Sequence, residues 1–364
     1  MVITQVRVAE CPIPLPKVLR LGPIEIRTRD YVAVRIETNS GLFGEAVGYP
    51  RGTPLFETTC RMANRILGQD ASMRREIMVR LDRSNVPARS TLTRGLSLLD
   101  IALWDLGAKA ANQPLYQLLG GYRKSAEATV VAGYYIDQRS ISDVADEVRR
   151  LADAGFPRMK IMLKGDDPAF DRKYAAAVAK ALPGAVGADA HWSWSTITEA
   201  RAICRDLDEL GLNFLEDPFA ASDWRMTHEL QQGLRTPIAA GEDVFGSRAI
   251  ADLVRGIGLL RVDATTCGGI TGAIEAVNLA AAAGRTVLPH VFAPLHLHLA
   301  CAFPNVEGVE LIPQESGADP LHTLLRHWPA VDNGRMQAGD EPGAGMDLNW
   351  EAVQRLAQRV QTVA

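Results

Sequence analysis

The sequence is poor in cysteine, in charge of one sign and in long apolar runs, and each shortage removes a class of protein. Its five cysteines (Cys11, Cys60, Cys204, Cys267 and Cys301) are scattered through 364 residues without a CxxC pair. An odd, dispersed set implies reduced thiols in a cytoplasmic protein and argues against a disulfide framework. The formal net charge is only −4, so no basic surface is offered to nucleic acid or anionic membrane. No apolar run approaches the roughly 20 residues that span a bilayer. The opening MVITQVRVAECPIPLP lacks a charged leader with an apolar core, so no signal peptide is expected. No GxGxxG phosphate turn is present either, which argues against an open dinucleotide-binding sheet.

What remains is an ordinary globular composition, 47% hydrophobic and 23% charged, long enough for a barrel with a smaller partner domain. Residues 1–120 read as an α+β unit. ITQVRVAE and YVAVRIETNSGLFGEA alternate as strands, with NSG as a hairpin turn, and apolar residues at helical spacing follow over 55–67 and 92–111. From residue 121 to 324 the rhythm changes to short apolar strands between amphipathic helices. ATVVAGYY, RMKIML, AVGADA, LNFLEDP, PIAAGED, LLRVDAT, TVLPHV and VEGVELI are the eight strand candidates. Eight strands at that spacing predict an α/β fold of the (β/α)7β TIM-like barrel type, with the N-terminal α+β unit as its cap. The Gly- and Pro-rich tail, 325–364, is expected to wrap back and complete the cap.

In such a barrel the chemistry sits at the C-terminal ends of the strands. Three consecutive strands end in acids: Asp189 in VGADAHW, Glu216 in NFLEDP and Glu242 in IAAGED, spaced by 27 and 26 residues. Neighbouring strands therefore aim carboxylates at one point. With no Arg or Lys beside them in sequence, they imply a cation between them. All-oxygen ligands favour a hard ion, Mg²⁺ first and Mn²⁺ second. The competing explanation, three acids that merely cap helices, does not account for their regular recurrence.

These motifs, DAHW, FLEDP and AGED, together with the SLLDIALWDLGAKAANQPLYQLLGG helix and HLHLACAFPN, resemble the enolase superfamily along nearly the whole chain. The resemblance implies that Asp189, Glu216 and Glu242 hold Mg²⁺. It also implies a shared first step, removal of the proton alpha to a carboxylate to give an enediolate. Asp263, ending LLRVD, and His290, ending TVLPH, resemble the His–Asp dyad of the mandelate racemase subgroup. A carboxylate one strand away orients the imidazole and raises its basicity. Glu310 in GVELI falls where that subgroup has a glutamate bonded to the substrate carboxylate.

RMKIMLKG departs from the subgroup's pattern. Its second strand commonly ends in Lys-x-Lys, and here Lys160 takes the first lysine position while Met162 takes the second, normally the proton-transferring one. A thioether carries no transferable proton. Lys164 keeps the same parity one step further out and is either a substitute, a substrate contact or a solvated lysine. Lys160 is expected to remain as a cation near the substrate carboxylate. With one face lacking a base, racemisation is disfavoured and stereospecific β-elimination by His290 is favoured. His191, two residues after Asp189, resembles the acid of galactonate-type dehydratases that protonates the leaving hydroxyl; otherwise it only hydrogen-bonds substrate hydroxyls.

Specificity is expected from the cap, through mobile loops at 13–23 and 47–52, with Tyr49 and Arg51 contacting a distal hydroxyl or second carboxylate. The expected activity is an Mg-dependent acid-sugar dehydratase, a hydro-lyase giving a 2-keto-3-deoxy acid sugar. The alternatives are a cycloisomerase or racemase/epimerase working through the same enediolate, and a non-catalytic metal- or sugar-binding relative. The partner is a small carboxylate, with neither nucleic acid nor membrane, and the resemblance implies a homo-oligomer, dimer or octamer.

Overall fold

The computed structural model describes residues 1–21, 24–84 and 89–364. The cap is built on β1 (Ile3–Leu21), β2 (Ile24–Thr38) and β3 (Phe43–Gly48), an antiparallel sheet in the order of the chain. Alternating residues of β1 and β2 bury Val6, Val8, Val32, Val34 and Ile36 against the helices of residues 55–63 and 89–110. The second of these packs so closely on β3 that a Cβ at Gly44 would lie 1.9 Å from the carbonyl oxygen of Ala102. The segment 13–23, expected to be a loop, is instead strand as far as Leu21, which pairs with Ile24 across the hairpin. Residues 22–23 lie outside the described residues.

The barrel strands are β4 (Ser125–Ala132), β5 (Arg158–Met162), β6 (Val186–Asp189), β7 (Phe214–Glu216), β8 (Ile238–Ala240), β9 (Leu259–Val262), β10 (Thr286–Pro289) and β11 (Gly308–Leu311). All neighbouring pairs from β4 to β10 are parallel, β11 pairs in parallel with β4, and Val287 bridges to Val306 to close the ring. A helix follows each of the first seven, so the (β/α)7β expectation describes the architecture. Several of these helices begin as their sequences dictate. Ser140 and Asp143 form a reciprocal capping box, Asp167 caps a helix with Pro168 in its first turn, and the Thr196 hydroxyl accepts from the Glu199 N–H.

The tail divides between the two units. Its first hairpin, β12 (Val331–Asp332) and β13 (Arg335–Gln337), attaches antiparallel to β4 of the barrel. Later residues join the cap: the Ala344 N–H donates to Asp105, Trp350 Nε1 donates to Glu45 at 2.6 Å, and the last strand, β14 (Arg359–Val363), pairs with β1. No helix among the described residues is long and apolar enough to cross a membrane.

Candidate active site

The strand ends meet the cap around a cavity of about 640 Å³. Its floor is ionic. Asp189, Glu216, Glu242, Asp263, Glu310 and Lys160 are all buried, each no more than 5% exposed. Isolated charges at that depth are untenable, so each must be paired. Lys160 Nζ lies 3.0 Å from Asp189 Oδ2, 3.1 Å from Glu216 Oε2 and 3.1 Å from Glu310 Oε1. Lys160 is therefore the hub of the floor.

A second cation escaped the sequence reading. Arg261 on β9 is fully buried, donates from Nε to Glu216 Oε1 at 2.7 Å, and pairs through Nη2 with Glu310. Its Nη1 donates to the Leu288 carbonyl at 2.8 Å. The signal was available, because Arg261 shares strand parity with Asp263 and so must face the same interior. A third cation, Arg51 of the cap, contacts Glu242 Oε1 at 2.7 Å and Asp243 Oδ2 at 3.1 Å. The premise that the three acids lack compensating cations is thus corrected: the cations come from elements remote in sequence.

The acids still exceed the cations. Burial first, then Glu242, Glu216 and Asp189, push the Asp217 carboxyl well above the usual carboxylate range, and burial raises Glu216 to about 7. Glu216 Oε2 is buried and makes no aligned hydrogen bond despite the nearby ammonium. A short-charged cluster of oxygen donors fits a hard divalent ion. Oxygens of Glu216, Asp217 and Glu242 lie within 4.8 Å of one another. Asp189 stands outside that group, held by Lys160 and by the His191 ring, whose Nε2 is 3.4 Å away. Asp217, next to Glu216, was not singled out from the sequence; its Oδ2 accepts from Trp192 Nε1 at 2.9 Å.

The dyad is formed. His290 Nδ1 sits 3.0 Å from Asp263 Oδ2, and its Nε2 is 3.0 Å from Arg51 Nη2 and 3.3 Å from Glu242 Oε2. With Nδ1–H donated to the carboxylate, the lone pair of Nε2 accepts from Arg51. Burial outweighs the acids and lowers the His290 pKa to about 4, so the ring is a neutral base at pH 7. His191 also faces the cavity. Burial lowers its pKa against the pull of Asp189, and its Nδ1 is buried without a hydrogen-bond partner. Met162 lines the cavity at the end of β5 and brings no ionisable group.

Two expected contacts are elsewhere. Strand β5 ends at Met162, so parity no longer governs Lys164, whose ammonium lies 4.0 Å from the Phe170 ring centroid, away from the cavity lining. The Tyr49 hydroxyl is committed to Asp319, which also accepts from Tyr31, leaving only the Tyr49 ring at the wall. His296 is internal packing, with Nε2 accepting from the Ala264 N–H at 3.0 Å.

Backbone strain concentrates here as well. Among the described residues nine non-glycine positions have positive φ, and of these Arg51, His191, Trp192 and Val291 line the cavity while Asp217 lies beside Glu216. Each such residue costs of order 1–3 kcal/mol, and clustering of this kind marks sites where geometry serves chemistry.

Known protein families match both parts of the chain. Residues 143–353 match the family described as enolase C-terminal domain-like, and residues 3–120 match the mandelate racemase / muconate lactonizing enzyme N-terminal domain. L-talarate/galactarate dehydratase of Salmonella typhimurium is 28% identical over 88% of this chain and 81% of its own. Arabinonate dehydratase of Saccharolobus solfataricus is 26% identical over 90% and 89%. Among solved structures, L-talarate dehydratase from Polaromonas sp. JS666, complexed with Mg and L-glucarate, superposes with a TM-score of 0.87 at 27% identity, covering 100% of this chain and 99% of that one.

Proposed function

Since the chain belongs to the enolase superfamily, we propose that it is a Mg²⁺-dependent acid-sugar dehydratase. The single observation that carries the reading is His290, held by Asp263 as a neutral imidazole, in a cavity that Met162 also lines.

Asp189, Glu216 and Glu242 would hold Mg²⁺, with Asp217 as a further carboxylate against the last two. When bound, the ion supplies Lewis-acid stabilisation of the negative charge that develops on the substrate carboxylate. Lys160 adds a fixed ammonium on the same floor, and Glu310 keeps that ammonium in place. Once substrate displaces the Arg51 N–H that it accepts here, His290 Nε2 takes the alpha proton, and the electron pair of the broken C–H bond moves into the carboxylate as an enediolate. Asp263 accepts from Nδ1–H throughout and steadies the imidazolium that forms. The enediolate collapses with loss of the β-hydroxyl, which leaves as water on taking a proton from His191, a ring that burial leaves neutral and that must first take up this proton as the substrate anion enters beside it. Tautomerisation of the resulting enol gives the 2-keto-3-deoxy acid.

Met162 gives the reading its direction. A racemase needs a proton donor and acceptor on both faces of the alpha carbon, and the thioether supplies neither. One base suits elimination.

The test is His290→Asn. Turnover should fall by at least about 10⁴-fold, while Mg²⁺ affinity measured by calorimetry stays within a few-fold of wild type. Retained turnover would remove His290 from the mechanism, and no turnover of any acid sugar by the wild type would favour a binding protein.

A further inference from the structure

Four side chains that line the cavity are both buried and able to donate a hydrogen bond: Tyr49, Tyr134, Lys160 and His290. Three of them are committed within the protein. The Tyr49 hydroxyl donates to Asp319, the Lys160 ammonium is ringed by Asp189, Glu216 and Glu310, and His290 Nδ1 sits on Asp263. The Tyr134 hydroxyl makes no hydrogen bond among the described residues, and unlike the hydroxyl of Tyr135 it is not sealed away from the cavity space.

Tyr134 follows β4, whose neighbours in the ring are β11 with Glu310 and β5 with Lys160 and Met162. Gly133 turns the chain just before it at φ 76°, where a Cβ would run into the Tyr174 hydroxyl, and the Tyr134 carbonyl accepts from Arg139 Nη1 at 3.3 Å. The residue also borders a second cavity, lined by Lys17, Arg139 and Glu147 among others. The charges that act most on its hydroxyl belong to the other side. Burial pushes the phenol up, Arg29 and Lys160 pull it down, and Asp319 and Asp189 add to the rise. The hydroxyl is thus on the side of the ionic floor and remains protonated at neutral pH.

From this arrangement we infer that Tyr134 is a further catalytic residue, whose hydroxyl donates a hydrogen bond to the substrate carboxylate oxygen on which charge grows as the enediolate forms. The inference rests on the acid-sugar reading above and adds a group to it. Lys160 contributes its charge to the floor, but its N–H groups are already turned to three acids. Tyr134 is the buried donor left for the substrate itself. It transfers no proton: a phenol held above its ordinary range keeps its O–H while the acceptor oxygen becomes more negative. Such a bond is stronger to the enediolate than to the resting carboxylate, so it lowers the barrier rather than merely holding the substrate.

The test is Tyr134→Phe, which removes the hydroxyl and keeps the ring. Calorimetry in the presence of Mg²⁺ compares glycolate with glycolohydroxamate, whose paired oxygens copy the charge of an enediolate on the smallest alpha-hydroxy acid. Wild type should bind the hydroxamate more tightly, and Tyr134→Phe should reduce the hydroxamate-to-glycolate ratio of binding constants by about 10- to 100-fold. Its Tm should stay within about 1 °C of wild type, because no hydrogen bond of the fold is lost. A hydroxamate preference kept in Tyr134→Phe, an equal loss for both ligands, or a Tm several degrees lower would overturn the inference and leave dehydration standing. A wild type that binds the hydroxamate no more tightly than glycolate would overturn the enediolate reading along with it.

Discussion

Replacing Arg261 with methionine probes the floor of the site most severely, because it removes a cation that two buried acids share. Methionine fills much of the same volume but leaves Glu216 without its 2.7 Å donor and Glu310 without its Nη2 contact. Breaking a buried ion pair from one side costs about 3–5 kcal/mol, most of it the penalty of an orphaned charge. At about 2.1 cal/mol/K of unfolding entropy per residue, a chain of 364 residues loses roughly 1.3 °C in Tm per kcal/mol, so the fall should be about 4–7 °C. Differential scanning calorimetry in EDTA keeps metal binding from masking it. Adding Glu310→Gln to Arg261→Met neutralises one orphan and should restore part of the loss, giving a non-additive double-mutant cycle. A Tm change under about 1 °C, or strictly additive losses, would refute the account of the floor.

Two further predictions concern the scaffold. Burial lowers the His298 pKa to about 4; a ring with an unfolded pKa near 6.5 then binds fewer protons when folded, so its contribution is complete above that pH and drains as pH falls toward 4. Between pH 7.5 and 5, urea unfolding should show wild type losing about 2 kcal/mol more than His298→Asn, and parallel profiles would contradict a neutral ring. Gly44→Ala should destabilise the cap by about 2–4 kcal/mol, because its Cβ would meet the Ala102 carbonyl of the adjoining helix at 1.9 Å. Unchanged protease resistance of the cap would refute that close approach.

The parts of this molecule that were legible in the sequence are those governed by local period. The strand–helix alternation set the barrel, and acids recurring at strand ends placed Asp189, Glu216 and Glu242 on neighbouring strands. The same logic paired Asp263 with His290. What escaped depends on side chains reaching across the fold. Nothing local joins Tyr31 and Tyr49 to Asp319, which lie 288 and 270 residues away, so Tyr49 looked free to meet substrate. Charge balance at the floor was misjudged for the same reason: Lys160, Arg261 and Arg51 arrive from three separate elements. Lys164 was misplaced because a period-2 argument was carried past Met162, where the strand stops. Arg261 alone could have been found, since its parity with Asp263 on one strand was readable.

The most direct test is proton NMR in D₂O with Mg²⁺ across mono- and dicarboxylic acid sugars and their lactones. The account predicts disappearance of one substrate's signals with growth of a 2-keto-3-deoxy product, in wild type and not in His290→Asn. Exchange of the alpha proton or a ring change without loss of water would contradict it, and would assign the enediolate to an isomerase.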